Sequence, residues 1–323
     1  MPVVVPQLEE RFLEPPGWQW GTFKNKKGCS LRFGTVSPAN GKADAIIIIL
    51  PGRNEYAEKY FEVARDLIKK NLAVWILEWQ GQGLSQRFIQ HYPQRCHASS
   101  FIHHADDLHE FITAQIKPEI PLVMLAHSMG ANIGTRFLHK YPGVFAAAGM
   151  TSPMFGIPAV SKIPAAPLVS FVLSLLAGKN YAFGQKDWSL DEDNDSEAVF
   201  SFDPVRSKIY HAWLHDNPEL RSGGATFGWV YNAFASCRFL QRPGVLESIR
   251  TPCLVAVAGK ENIVDNNAIR NAAARLPRLR LLELPESGHE ILMERDDSRN
   301  QFLWALLLLI RENLKSAGEQ GKM

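Results

Sequence analysis

The sequence is short of several features that would narrow its class. Four cysteines in 323 residues (Cys29, Cys96, Cys237, Cys253) are widely scattered and show no CxxC spacing. That excludes a disulfide scaffold and a zinc site built on paired thiols. Buried or idle thiols in a reducing compartment are expected instead, which points to the cytoplasm, at most peripheral to the inner face of the membrane. There is no charge excess to speak of: 35 basic against 33 acidic residues give a formal net charge of +2. Such a balance leaves no electrostatic footprint for nucleic acid. The first residues, MPVVVPQLEERFLEPPG, lack a basic stretch followed by a long apolar run, so no signal peptide is expected. Long hydrophobic runs are missing too. Phe302–Ile310 is too short to span a bilayer, and Ile157–Gly178 is interrupted by Lys162 and by Pro158, Pro164 and Pro167. No repeat or low-complexity segment is found.

What is present is an ordinary globular composition, 46% hydrophobic and 21% charged. Trp18–Lys24 and Ser30–Thr35 read as strands joined by a turn over Asn25–Gly28. Ala45–Leu50 (AIIIIL) is β-branched with no polar alternation, the pattern of a strand buried on both faces of a parallel sheet. Helical periodicity over Tyr56–Lys70 then leads to Ala73–Leu77. An amphipathic helix marked by Phe101, Ile102, Ala105, Leu108, Phe111 and Ile112 leads to Leu122–Ala126, and a helix over Ala131–Lys140 precedes Phe145–Met150. This alternation predicts an α/β fold with a mostly parallel central sheet and right-handed crossovers. The rhythm breaks at Thr151 and resumes with Cys253–Ala258, a helix near Asn266–Arg275, Leu279–Leu284 and a last helix from about Ser298 to Leu314. The expected organisation is a core of residues 1–151 and 241–323 carrying an inserted, mainly helical lid, residues 152–240.

The chemistry begins where Leu122–Ala126 runs into His127-Ser128-Met129-Gly130 and a helix. A serine on a sharp strand-to-helix turn has its hydroxyl lifted clear of the sheet beside a helix N-terminus, which makes Ser128 the candidate nucleophile. Strand and helix crowd there, so small residues are needed two positions to either side; here they are Ala126 and Gly130. The competing role for Ser128 is a plain helix cap. A serine hydroxyl needs a base, and His289, in the loop after Leu279–Leu284, is where the order of elements puts it. The acid that orients the imidazole should follow the preceding strand. Glu261 and Asp265 compete. Glu261 is preferred, because Ile263-Val264 resembles an apolar pair that tucks the loop back and leaves Asp265 to cap the helix near Asn266. An oxyanion needs preorganised donors, and the backbone N–H groups of Met129 and Arg53 are the candidates, with Gly52 allowing close approach.

Five segments in order carry a resemblance: Pro51-Gly52-Arg53-Asn54-Glu55-Tyr56, Glu78-Trp79-Gln80-Gly81-Gln82-Gly83-Leu84-Ser85, His127-Ser128-Met129-Gly130, Ile263-Val264-Asp265-Asn266 and Gly288-His289-Glu290-Ile291-Leu292. Together they resemble the α/β-hydrolase fold, and within it the bacterial lysophospholipase and monoacylglycerol lipase group. The segment Gly224–Trp229 of the lid is similar to that group as well. The resemblance implies Ser128 as nucleophile, His289 as base, Glu261 as acid and Arg53 and Met129 as oxyanion donors. The sequence departs from the family pattern at Pro51, where a histidine is common, at Ala126, where glycine is usual, and at Glu261, where many members have aspartate. The implied activity is hydrolysis of a lipid carboxylic ester, a lysophospholipid or monoacylglycerol, without cofactor or metal. The alternatives are a small-molecule carboxylesterase or thioesterase, a peptidase of the same fold, and a non-catalytic binding protein.

Three further features carry less. His103, His104, Asp106, Asp107 and His109 form a dense cluster, read as mostly the polar side of a helix rather than a metal site. Gly81-x-Gly83 lacks a third glycine and the context of a dinucleotide fingerprint, and reads as a tight turn at the rim of the site. Asp191–Asp195 reads as a solvated lid surface. The apolar stretch Ile157–Gly178 has more large side chains than a solvent-exposed loop, and suits a helix packed on the core, an acyl-chain wall, or a surface making transient contact with a membrane.

Overall fold

The structure is a computed structural model and describes residues 4–158, 166–189 and 200–320. Eight strands form one sheet: β1 (Gln19–Lys24), β2 (Ser30–Val36), β3 (Ala45–Leu50), β4 (Leu72–Leu77), β5 (Leu122–His127), β6 (Ala147–Thr151), β7 (Cys253–Ala258) and β8 (Leu279–Leu284). Their order is β1-β2-β4-β3-β5-β6-β7-β8. Pairing from β4 through β8 is parallel, and β1 and β2 add an antiparallel edge. The helices are α1 (Phe61–Ile68), α2 (Phe101–Phe111), α3 (Met129–Lys140), α4 (Ala166–Ala177), α5 (Ile209–Asp216), α6 (Phe227–Leu240), α7 (Asn266–Ala273) and α8 (Asp296–Gln320).

The continuous apolar run of β3 has a simple cause. Ile46, Ile48 and Leu50 join one buried cluster, with Phe101, Phe137 and Met150, whereas Ala45, Ile47 and Ile49 join the other, with Phe61, Phe302 and Leu306. Helices cover both faces, so every position of the strand is apolar. Register aligns the strand ends that matter. Leu50 pairs with Ala126, His127 with Thr151, Thr151 with Ala256, and Ala258 with Leu284. The loops that follow β3, β5, β7 and β8 therefore emerge side by side at the carboxyl edge, where parallel sheets hold their ligands.

Two readings change at the level of single elements. The segment Tyr56–Lys70 begins as a 3-10 turn over Ala57–Tyr60 before α1. The polar cluster on α2 is not all outward. His104 is buried against the rings of Trp79 and Phe101, and burial pushes its pKa down to about 3, so it is a neutral core residue. Asp107 is also buried and accepts a hydrogen bond from Asn25 at 2.7 Å, while Asp106 faces Lys140 and Tyr141. All four cysteines are free and buried. The acidic run Asp191–Asp195 lies outside the described residues, as do Val160, Lys162, Ile163 and Pro164 of the apolar lid stretch. Among the described residues no helix is long and apolar enough to cross a membrane.

Candidate active site

Ser128 sits between β5 and α3 with φ 50° and ψ −115°, a conformation that a non-glycine residue holds only when its surroundings enforce it. They do so with hydrogen bonds: its N–H donates to the Thr151 carbonyl at 3.0 Å, and its carbonyl accepts from Ala131, Asn132 and Met154. The side chain does not cap the helix. At Gly130 a Cβ would run into the carbonyls of Leu50 and Pro51, which explains why the first turn of α3 carries glycine. The same closeness sets the first turn of α3, which Met129 opens, beside the loop that follows β3.

That loop is held from several sides. Trp79 donates to the Pro51 carbonyl at 2.8 Å, and Gln82 donates to the carbonyls of Gly52 and Glu55 at 2.8 and 2.9 Å while accepting from the Asn54 N–H. Gln82 is therefore a brace for the loop bearing Arg53, and its neighbours Gly81 and Gly83 both take positive φ to make the turn that delivers it. A Cβ on Gly52 would press on Glu55 and His127.

His289 Nε2 lies 3.0 Å from Ser128 Oγ, and His289 Nδ1 lies 2.7 Å from Glu261 Oε2. The other Glu261 oxygen accepts the backbone N–H groups of Ile263 at 2.7 Å and Val264 at 3.2 Å. Burial would raise the carboxyl's pKa, but the imidazole and these two amides outweigh it and hold Glu261 below the usual carboxylate range. Asp265 is turned elsewhere. Its Oδ1 accepts from Asn267 and Ala268 and caps α7. The structure thus brings together Ser128, His289 and Glu261, with the Arg53 loop alongside, and leaves Asp265 apart. Ser152, whose φ is 42°, donates its hydroxyl to the His289 carbonyl at 2.7 Å and fixes the loop bearing His289 from the end of β6.

Behind Ser128, His289 and Glu261 lies a buried polar network that sequence reasoning missed. Glu55 accepts the Gly52 N–H and the Tyr60 hydroxyl, and Lys59 Nζ lies 2.6 Å from both Glu55 Oε1 and Glu290 Oε1. Burial opposes ionisation of Glu55, yet Lys59 and Tyr60 hold its pKa down at about 2. His127, 4.8 Å from His289 between ring centroids, bonds Thr151 Oγ1 at 3.0 Å and is pushed down to about 3 by burial, so it is neutral near pH 7. Glu55, His127 and Glu290 could by spacing hold a metal, but the Lys59 ammonium already bridges the two carboxylates. The available signal was the Glu55–Lys59 spacing of four residues, polar positions embedded in an otherwise apolar helical pattern.

A cavity of about 620 Å³ opens at Ser128 and His289. That is within the range of roughly 300–1,000 Å³ common for small-ligand sites. Its walls include Val169 and Leu173 of α4, Phe183, and Trp229, Val230 and Phe234 of α6.

An imidazole linking an elbow serine to a buried carboxylate, on this sheet, defines a serine hydrolase of the α/β-hydrolase fold. The chain belongs to the serine aminopeptidase S33 family, which it matches over residues 41–296. It is 31% identical over 296 residues to lysophospholipase L2 of Escherichia coli K12, covering 86% of this chain and 83% of that protein. It is 28% identical over 168 residues to human monoglyceride lipase, covering 51% of this chain and 53% of the relative. Among solved structures, a soluble variant of monoglyceride lipase from Saccharomyces cerevisiae in complex with a substrate analog superposes with a TM-score of 0.74 at 16% identity, over 95% of this chain and all of that one. A carboxyl esterase from Bacillus coagulans superposes with a TM-score of 0.71 at 15% identity, over 93% and 100% of the two chains. At such identities the structures speak for the fold alone. With the curated relatives, the enzyme is a carboxylic ester hydrolase.

Proposed function

We propose that the protein hydrolyses lipid carboxylic esters, lysophospholipids or monoacylglycerols, through an acyl-enzyme on Ser128. In this reading His289 takes the Ser128 proton as Oγ attacks the ester carbonyl, and Glu261 orients the imidazole and stabilises its charged form. The Arg53 and Met129 amides hold the oxyanion. The alcohol leaves with the proton from His289, and a water deprotonated by His289 then releases the fatty acid. Residues 152–240 act as a lid over a core of residues 1–151 and 241–323. The observation that carries the substrate class is the apolar wall of the cavity, supplied in part by α4 and α6 and continuous with Ser128. The curated relatives named for lysophospholipid and monoglyceride hydrolysis support the same reading.

An acyl chain lying along that wall gains about 0.8 kcal/mol per buried methylene. kcat/KM for p-nitrophenyl esters is therefore expected to rise at least about tenfold from acetate to decanoate. A preference for acetate would remove the lipid reading and leave a small-molecule esterase.

The outer side of the lid adds a membrane-contact role. On α4, Leu175 and Leu176 are 69% and 80% exposed, and Phe183 beyond it is 81% exposed. A cluster of large exposed apolar side chains beside a lipid-sized cavity suits transient docking on a bilayer. The double variant Leu175→Asp/Leu176→Asp is expected to lose co-flotation with phosphatidylglycerol-containing vesicles while keeping its hydrolysis of a short soluble ester. Undiminished flotation would locate membrane contact elsewhere or abolish it as a property.

A further inference from the structure

Arg53 contributes more to the cavity than its backbone N–H. Its side chain is the only arginine or lysine among the described residues lining the cavity. The guanidinium lies over Trp229, 5.2 Å from the ring centroid, and beside the Cys96 thiol. Its Nη1 is buried without a hydrogen-bond partner. Like the half-buried Arg95 and Arg136, Arg53 keeps one nitrogen without a partner, whereas the fully buried arginines among the described residues are all paired with carboxylates. Arg32 sits on Glu58 and Glu78, Arg206 on Glu62, Asp203 and Asp296, and Arg299 on Asp66. The carboxylates lining the cavity, Glu55 and Glu290, are bridged to each other by Lys59 rather than to Arg53. On the adjacent residue, the Asn54 amide donates to the carbonyls of Ser222 and Gly223, and its Oδ1 is buried and unpartnered. One loop thus brings to the cavity wall a cation and, next to it, a polar residue, each with one enclosed polar atom left without a partner.

A partly desolvated cation without a counter-charge is costly, and a ligand that supplies the charge recovers that cost in charge-assisted hydrogen bonds. Guanidinium is matched in shape and charge to a phosphate, which it can grip through two parallel N–H groups. A glycerol hydroxyl cannot do this. On the proposed mechanism the ester carbonyl lies at the Arg53 amide, which puts the head group on the Arg53 side of the cavity. We propose that the Arg53 guanidinium is the subsite for the phosphodiester of a lysophospholipid head group. This choice of ligand rests on the lipid-ester reading above. It makes Arg53 a specificity residue that separates lysophospholipids from monoacylglycerols in an otherwise apolar cavity.

Non-hydrolysable ligands test the subsite apart from turnover. The octyl ethers of glycerophosphoethanolamine and of glycerol, both kept below their micellar concentrations, are titrated for protection of Ser128 against a fluorophosphonate probe. In the wild type the phosphodiester ligand is expected to protect at a concentration at least about tenfold lower than the glycerol ether. Arg53→Gln is expected to erase that ratio, whatever it does to the labelling rate itself, and Arg53→Lys, which keeps the charge but not the paired N–H groups, to retain only part of it. A wild type without preference, or a ratio unchanged in Arg53→Gln, overturns the assignment. Octanoate serves as a second anion: protection by octanoate with the same Arg53 dependence would assign the cation to the fatty-acid product and overturn the head-group subsite. The corresponding octanoyl esters are assayed in parallel. If neither is hydrolysed while the ethers still discriminate through Arg53, the lipid-ester reading fails and the subsite stands.

Discussion

With Ser128 replaced by alanine, kcat on any ester the wild type cleaves is expected to fall by about 10⁶-fold, the scale of removing a triad nucleophile. The substitution deletes one oxygen at a position whose backbone is already fixed by Thr151, Ala131, Asn132 and Met154. The variant should therefore fold like the wild type, and circular dichroism with a thermal melt checks that independently of activity. On the proposed mechanism serine and histidine act as a unit, so Ser128→Ala/His289→Ala should be hardly slower than either single variant. Retention of more than about a hundredth of the wild-type rate in a folded Ser128→Ala protein, far above the loss set by the mechanism, would mean another group attacks the ester.

The second large effect separates two carboxylates four residues apart. Glu261→Gln is expected to lower kcat by about 10⁴-fold, because an amide in place of the carboxylate can hold the imidazole in the wrong tautomer and cannot stabilise its charged form. The longer glutamate reaches Nδ1 at 2.7 Å because the amides of Ile263 and Val264 fix its other oxygen and fold the side chain back under the imidazole. Asp265→Asn should leave kcat within a few-fold and cost little stability, since asparagine is about as good an N-cap as aspartate. The measurement is single-turnover acylation by each variant beside its unfolding midpoint. If Asp265→Asn loses turnover with its stability intact while Glu261→Gln retains it, the acid is Asp265.

Much of this arrangement could be read from sequence because parallel strands covered on both faces have no freedom to alternate. The run Ala45–Leu50 is apolar at every position and ends at the glycine loop, and Cys253–Ala258 does the same before Gly259. Chain order then supplies the sequence of nucleophile, acid and base, so Ser128, Glu261 and His289 are candidates before any geometry is known. What could not be read depends on contacts between distant segments. His104 and Asp107 look outward by helical periodicity, yet α2 is also covered by the Trp79 loop and by Asn25, so polar positions are enclosed. The Glu55–Lys59–Glu290 bridge joins residues more than two hundred positions apart. Nothing local marks Glu290 as their partner. The spare atoms of Arg53 and Asn54 are still less visible, because a missing partner is a property of the enclosure and not of either residue.

The two helices that wall the cavity are held in different ways. Thr226 caps α6 and bonds His97, Asn232 donates to the Ala98 carbonyl, and Ser236 donates to Asn132 on α3, so α6 is fastened to the core along its length. By contrast, α4 packs on α6, with Phe171 against Tyr231, lends Val169 and Leu173 to the cavity and turns Leu175 and Leu176 to solvent. For an evolving lineage this separates two kinds of change. Variation in α4 can rewrite which chains are accepted while the anchored wall keeps the reacting groups in register. New selectivity is then open to small mutational steps that leave the bond-breaking apparatus intact.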